Sequence, residues 1–164
     1  MKRLILYVMM MGIAIAINSC EKETLEPDNL AKIISFENGI GRTVCFTVSL
    51  DKTRYAVGET VKATATASES VINSSYYYDG TVTMAGNGDE FFRYTGLFFN
   101  KCKLPSCECV SGSSDEYCFS NVLSTEIPVG TTPGIYSATL AVTRSGPFGI
   151  ITKTKEVSIP YEVK

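Results

Sequence analysis

From Thr43 onward the chain alternates apolar and polar residues with a period of two, and that pattern excludes most folds. In Thr43–Leu50, Val44, Phe46, Val48 and Leu50 alternate with Cys45, Thr47 and Ser49. In residues 59–68, Val61, Ala63, Ala65 and Ala67 alternate with Lys62, Thr64 and Thr66. Successive side chains of a strand point to opposite faces, so each run reads as a half-buried antiparallel strand with one face on a core. Ser75–Met84 reads as two β-rich runs joined by Asp79-Gly80, a dipeptide that tolerates the positive φ of a type I′ hairpin. Gly86–Glu90 is a second turn, Phe91–Phe99 an aromatic-rich strand and Ser120–Val129 another. The chain closes as a hairpin around Ser145–Gly149. Tyr136, Ala138, Leu140 and Val142 face one way on its first arm, and Val157, Ile159, Tyr161 and Val163 do so on its second. Pro160 has the opposite parity and no N–H, so it fits only where that position faces a sheet edge. Asp28–Phe36 is read either as a short helix capped by Asp28 or as a first strand. Some seven or eight short strands with regular turn signals spell an all-β, antiparallel β-sandwich.

The N-terminal segment has a different character. Lys2 and Arg3 precede an uncharged run from Leu4 to Ile17, followed by Asn18, Ser19 and Cys20 and then by the charged stretch Glu21–Asp28. The apolar run of roughly fourteen residues has the length of a signal-peptide core, and it is short of the ~20 residues that cross a bilayer. The arrangement resembles a bacterial lipoprotein signal over about its first twenty residues. The resemblance implies that the Cys20 thiol is joined to diacylglycerol, that the peptide is cut before it, and that the new N-terminus is acylated. Several acyl chains anchor a protein stably where one does not. Residues 21 to about 30 read as a solvated tether, and in some Gram-negative lipoproteins an acidic segment at this place accompanies export to the cell surface. The expected organisation is a signal peptide at 1–19, a lipidated cysteine and tether at 20–38, and one sandwich domain at 39–164. The expected location is the cell envelope, lipid-anchored at the outer membrane.

Without its first nineteen residues the chain keeps 13 basic against 17 acidic residues, a net charge near −4. That balance leaves no basic stripe for nucleic acid. Histidine and tryptophan are both absent. The missing histidine removes the commonest general base, the Ser-His and Cys-His pairs, and the commonest metal ligand. The expectation is a non-enzyme without cofactor or metal.

Two phrases within the strand pattern, Tyr55-Ala56-Val57-Gly58-Glu59-Thr60-Val61 and Pro133-Gly134-Ile135-Tyr136 with Leu140, are similar to those of immunoglobulin-like modules of bacterial extracytoplasmic proteins. The resemblance covers roughly residues 43–164. It implies a Tyr136 whose hydroxyl caps a neighbouring corner. The Cys…Trp…Cys core of antibody domains is not present, since the chain has no tryptophan and Cys45 has the polar parity.

Of the six cysteines, Cys20 is assigned to lipid and four are crowded into Cys102, Cys107, Cys109 and Cys118. Such density in an exported chain points to disulfides. A Cys107–Cys109 bridge would close a very small ring. Two pairings remain: Cys102–Cys107 with Cys109–Cys118, or Cys102–Cys109 with Cys107–Cys118. Each bond stabilises the loop by roughly 2–3 kcal/mol on the loop-entropy account. Cys45 is then the candidate unpaired thiol, or it pairs with a loop cysteine. Four thiolates can also hold zinc, but this spacing matches no ribbon or finger and an oxidising compartment favours disulfides.

Tyr76, Tyr77 and Tyr78 alternate across a strand, so at least one is expected to face outward as a contact surface, together with Lys103, Leu104 and Pro105 of the cysteine-rich loop. Asn87, Asp89 and Glu90 lie close enough to suggest oxygen ligands for calcium but lack the ligand count and spacing of an EF-hand loop, so a solvated turn is the preferred reading. The function expected is a non-catalytic binding, adhesion or accessory module for an envelope protein or glycan. The alternative is an inhibitor or immunity-type lipoprotein that presents the stapled loop 102–118 to a protease or toxin.

Overall fold

Among the described residues, the alternation read from the sequence becomes ten strands in two sheets. A computed structural model of the chain describes residues 30–37, 39, 41–68, 71, 74–98, 107–109 and 118–164, with only the backbone described at 107–109, 118 and 119. In chain order the strands are β1 (Ala31–Glu37), β2 (Thr43–Leu50), β3 (Arg54–Tyr55), β4 (Thr60–Ala67), β5 (Tyr77–Gly86), β6 (Asp89–Leu97), β7 (Cys107–Cys109), β8 (Cys118–Glu126), β9 (Gly134–Ser145) and β10 (Ile151–Val163). A 3-10 turn, Pro147–Gly149, lies between the last two. One sheet runs β1-β2-β4-β8-β7 and the other β3-β10-β9-β5-β6. All pairings are antiparallel except the short one in which β3 lies parallel to the end of β10. The architecture is all-β and sandwich-like.

The inward faces are those the period predicts. Val44, Phe46, Val48 and Leu50 of β2, Val61, Ala63 and Ala65 of β4, and Ala138, Leu140 and Val142 of β9 are buried in one core with Ile159, Tyr161 and Val163 of β10. The segment that the sequence left between helix and strand is a strand, with Ile34 and Phe36 buried. Pro160 pairs with Ser137 of β9. The N–H groups of Glu162 and Lys164 point the other way, to Thr53 and Tyr55 of the β3 segment. Position 160 shares their parity, so the missing N–H faces the open edge above β3, which is what makes a proline acceptable there.

Two sequence expectations are corrected. Asp79-Gly80 is not a hairpin turn: β5 runs through it from Tyr77 to Gly86, pairing continuously with β9. Gly80 is present for space. A Cβ there would lie 2.6 Å from the Phe98 ring and 2.9 Å from Leu97 Cβ. The true turn is Asn87-Gly88, both residues at positive φ, 52° and 86°, as a two-residue hairpin link requires. In addition, part of the cysteine-rich loop is strand: Cys107 pairs with Asn121 and Cys109 with Cys118.

The turn phrase around residues 55–61 has a clear local logic. The Tyr55 hydroxyl donates to Asp51 Oδ1 at 2.6 Å, Gly58 takes φ 78°, and Glu59 Oε2 accepts the Ala56 N–H at 2.9 Å. These bonds turn the chain from β3 into β4.

Candidate ligand cleft

The parity that buries the middle of β9 and β10 also decides what stands at their shared end. Beyond Val142 the next inward position on β9 is Arg144, and ahead of Val157 the inward positions on β10 are Lys155 and Lys153. Register places Lys153 across from Arg144 and Lys155 across from Val142. Three cations therefore continue a hydrophobic stripe where the sheets part. Opposite them is the end of β1, an edge strand of the other sheet. Between them opens a cleft of about 460 Å³ lined by Ser35, Phe36, Glu37, Thr43, Arg144, Lys153 and Lys155.

Two of the cations are positioned by backbone and by rings. Arg144 Nη1 donates to the Glu37 carbonyl at 2.9 Å and its Nε to Thr152 Oγ1 at 3.0 Å. The same guanidinium lies between two rings, 4.3 Å from the Tyr76 centroid and 5.8 Å from that of Phe36. Lys155 donates to the Ser35 carbonyl and stands 5.1 Å from the Phe36 centroid. Capping the carbonyls of an edge strand with inward-pointing cations also protects that edge from pairing with another chain. Lys153 lines the cleft exposed and without a partner among the described residues. Against these three cations the lining holds one carboxylate among the described residues, Glu37. Cations set over aromatic rings in a low-lying cleft form a receptor for anions.

The tyrosine triplet splits three ways. Tyr77 is 61% exposed and remains a contact candidate. Tyr76 is half-buried under Arg144. Tyr78 is a correction: it is buried, 5.6 Å from Phe36 and 5.0 Å from Phe46 between ring centroids. Burial pushes its phenol pKa up, against the pull of the Ser74 hydroxyl and the Arg144 charge. Cys45 is also corrected as an unpaired candidate, because it is disulfide-bonded. Its partner lies among the cysteines whose side chains are not described. The polar parity that set Cys45 apart from the core leaves its sulfur on the outer face of the sheet, where another segment can reach it.

The turn once considered for calcium is engaged otherwise. Asn87 Nδ2 donates to the Tyr136 hydroxyl at 3.1 Å, and Glu90 pairs with Arg93, which holds the Glu90 carboxyl below the usual range. Among the described residues no group of three His, Cys, Asp or Glu side chains is placed to hold a metal. Cys20, Cys102, Lys103, Leu104 and Pro105 lie outside the described residues, and Cys107, Cys109 and Cys118 are described by backbone alone. Arg144, Lys153 and Lys155 went unnoticed in the sequence reading, yet the signal was there: charged residues at the inward positions of two otherwise apolar stripes. No protein-family model matches the chain, and no curated protein matches it significantly.

Proposed function

We propose that this chain is a non-catalytic binding module of the cell envelope, tethered through a lipidated Cys20, and that it holds acidic glycans in the cleft between β1 and the β9–β10 hairpin. The observation that carries this reading is the cleft itself, with three cations and two aromatic rings in a chain of net charge −2. Opposed charge in a concave, partly desolvated site attracts an anion more strongly than the same charges spread over a convex surface. We also infer an immunoglobulin-like variant of the sandwich. In support, the Tyr136 hydroxyl donates to the Thr132 carbonyl at 2.8 Å, the corner bond that such folds use.

The test is an array of neutral, carboxylated and sulfated oligosaccharides probed with a Cys20→Ala chain. Retention on the acidic members, lost as salt rises from about 0.05 to 0.5 M, is the expected result. Lys153→Glu should weaken retention about tenfold or more, because it removes an unpartnered cation and adds a repelling charge. Equal retention on neutral and acidic glycans would falsify the proposal.

A further inference from the structure

The β9–β10 hairpin ends in an uncharged stretch, Ser145–Thr152, whose apolar side chains stand in solvent. Phe148 is 99% exposed, Ile150 66% and Ile151 67%. Phe148 also adopts φ 65°, ψ 18°, a left-handed conformation that suits glycine and makes a bulky residue an outlier. Neither packing nor backbone preference puts a ring there. Strain of this kind persists where the surrounding structure imposes it, and it gathers at sites that act on something else. The turn meanwhile bonds its own backbone: the Gly146 N–H donates to the Ile150 carbonyl at 2.8 Å and the Gly149 N–H to the Gly146 carbonyl at 3.2 Å. A tip paired in this way can leave water without stranding those groups in a medium that offers no partners. Cations follow directly behind it. At roughly 3.4 Å per strand residue, Lys153 lies about 7 Å and Lys155 about 14 Å along β10 from Ile151, with Arg144 level with Lys153. Arg42, in the turn between β1 and β2, belongs to the same end of the sandwich. Among the described residues, the carboxylates near it are Glu37 and Asp79.

We propose that this tip is a membrane-interface anchor. Phe148, Ile150 and Ile151 enter the boundary of an anionic bilayer, and Arg144, Lys153 and Arg42 meet its headgroups. Apolar residues ahead of a cationic collar are the chemistry by which a protein lies in an interface, and the self-bonded backbone favours a bilayer over a protein pocket. The tip is opposite the end at which Leu30 leads into β1, next to Leu50. The anchor is therefore a second attachment, distinct from Cys20, and its apolar residues lie outside the proposed glycan cleft, with which it shares Arg144 and Lys153.

The chain has no tryptophan, so Phe148→Trp gives a fluorophore that reports on the tip alone. In a Cys20→Ala background, which removes acylation, its emission should shift to the blue on vesicles of phosphatidylglycerol and phosphatidylcholine and stay unchanged on phosphatidylcholine alone. Phe148→Asn, carried in the same background, should lower co-sedimentation with the anionic vesicles about tenfold or more while its melting temperature holds or rises, since Asn tolerates the left-handed backbone. Glycan retention should be unaffected by that variant, which separates failure of this proposal from failure of the glycan reading. Emission that stays red on both vesicle types overturns the anchor, including the case in which the tip shifts only on adding an envelope protein. An equal shift on neutral vesicles overturns the role given to the cations.

Discussion

Tyr136 and Tyr161 stack in the same inter-sheet layer, 6.1 Å apart and inclined by 27°, yet their hydroxyls have opposite consequences. The Tyr136 hydroxyl donates to Thr132 and accepts from Asn87. The Tyr161 hydroxyl is buried with no partner among the described residues, and burial raises its pKa well above the usual phenol range. A buried hydrogen bond contributes about 1 kcal/mol net, whereas an unpaired buried hydroxyl is a cost. Tyr136→Phe should therefore destabilise the fold by about 1–2 kcal/mol, and Tyr161→Phe should leave stability unchanged or raise it by up to about 1 kcal/mol. Urea unfolding of the two variants checks this, and a loss in Tyr161→Phe as large as in Tyr136→Phe would refute it. Asp79 offers a test of pH dependence. Partial desolvation raises its carboxyl pKa above 3.8 against the pull of the Gly96 and Gly80 N–H groups. A raised folded pKa means that the ionised form is the one folding disfavours. Its favourable contribution is present below the unfolded value and is lost as pH rises through the folded one. Asp79→Asn should thus melt slightly higher than the parent at pH 7, with the gap closing as pH falls towards 3. The effect is small because the side chain remains exposed.

At the scale of elements, β5 shows how a strong local signal yields to a stronger tertiary one. Asp79-Gly80 is a hairpin dipeptide by composition, but breaking β5 there would forfeit Tyr78 on one side and Val82 and Met84 on the other, all buried. Burying those side chains outweighs any turn preference, which amounts to about 1 kcal/mol at most. Gly80 is held instead by the Phe98 ring. Gly80→Ala should cost about 1–3 kcal/mol through overpacking, read as a lower urea midpoint. Pairing it with Phe98→Leu should recover part of the loss. A Gly80→Ala chain as stable as the parent would mean that the contact is softer than its geometry. The turn that does form, Asn87-Gly88, was legible because its two positive-φ residues are needed locally.

At the scale of the whole molecule, the links between the sheets span long stretches of sequence. Arg144 reaches the Glu37 carbonyl across 107 residues and Lys155 reaches the Ser35 carbonyl across 120. Cys45, on the outer face of β2, adds a covalent link to a segment whose side chains are not described. Removing it by Cys45→Ser should lower stability by about 2–4 kcal/mol, measured as a drop in melting temperature against the parent under non-reducing conditions. If Cys20 carries lipid, five cysteines remain. An odd number leaves one thiol for alkylation in the unreduced protein, and intact mass would count it.

The period of two determined by itself which faces of β2, β4, β9 and β10 are buried, because side-chain direction in a strand is a local property of the backbone. The charged residues at the inward positions of β9 and β10 were equally present in that pattern. Their role was not legible there, because a cation on a buried stripe has meaning only once its neighbours are known. Tertiary structure alone decided that β1 closes one side of the cleft, that β5 runs unbroken, and that Tyr78 is core while Tyr77 faces water. Those outcomes follow from which sheet edges meet, and residues more than a hundred positions apart settle that by packing, not by any propensity a short window of sequence can carry.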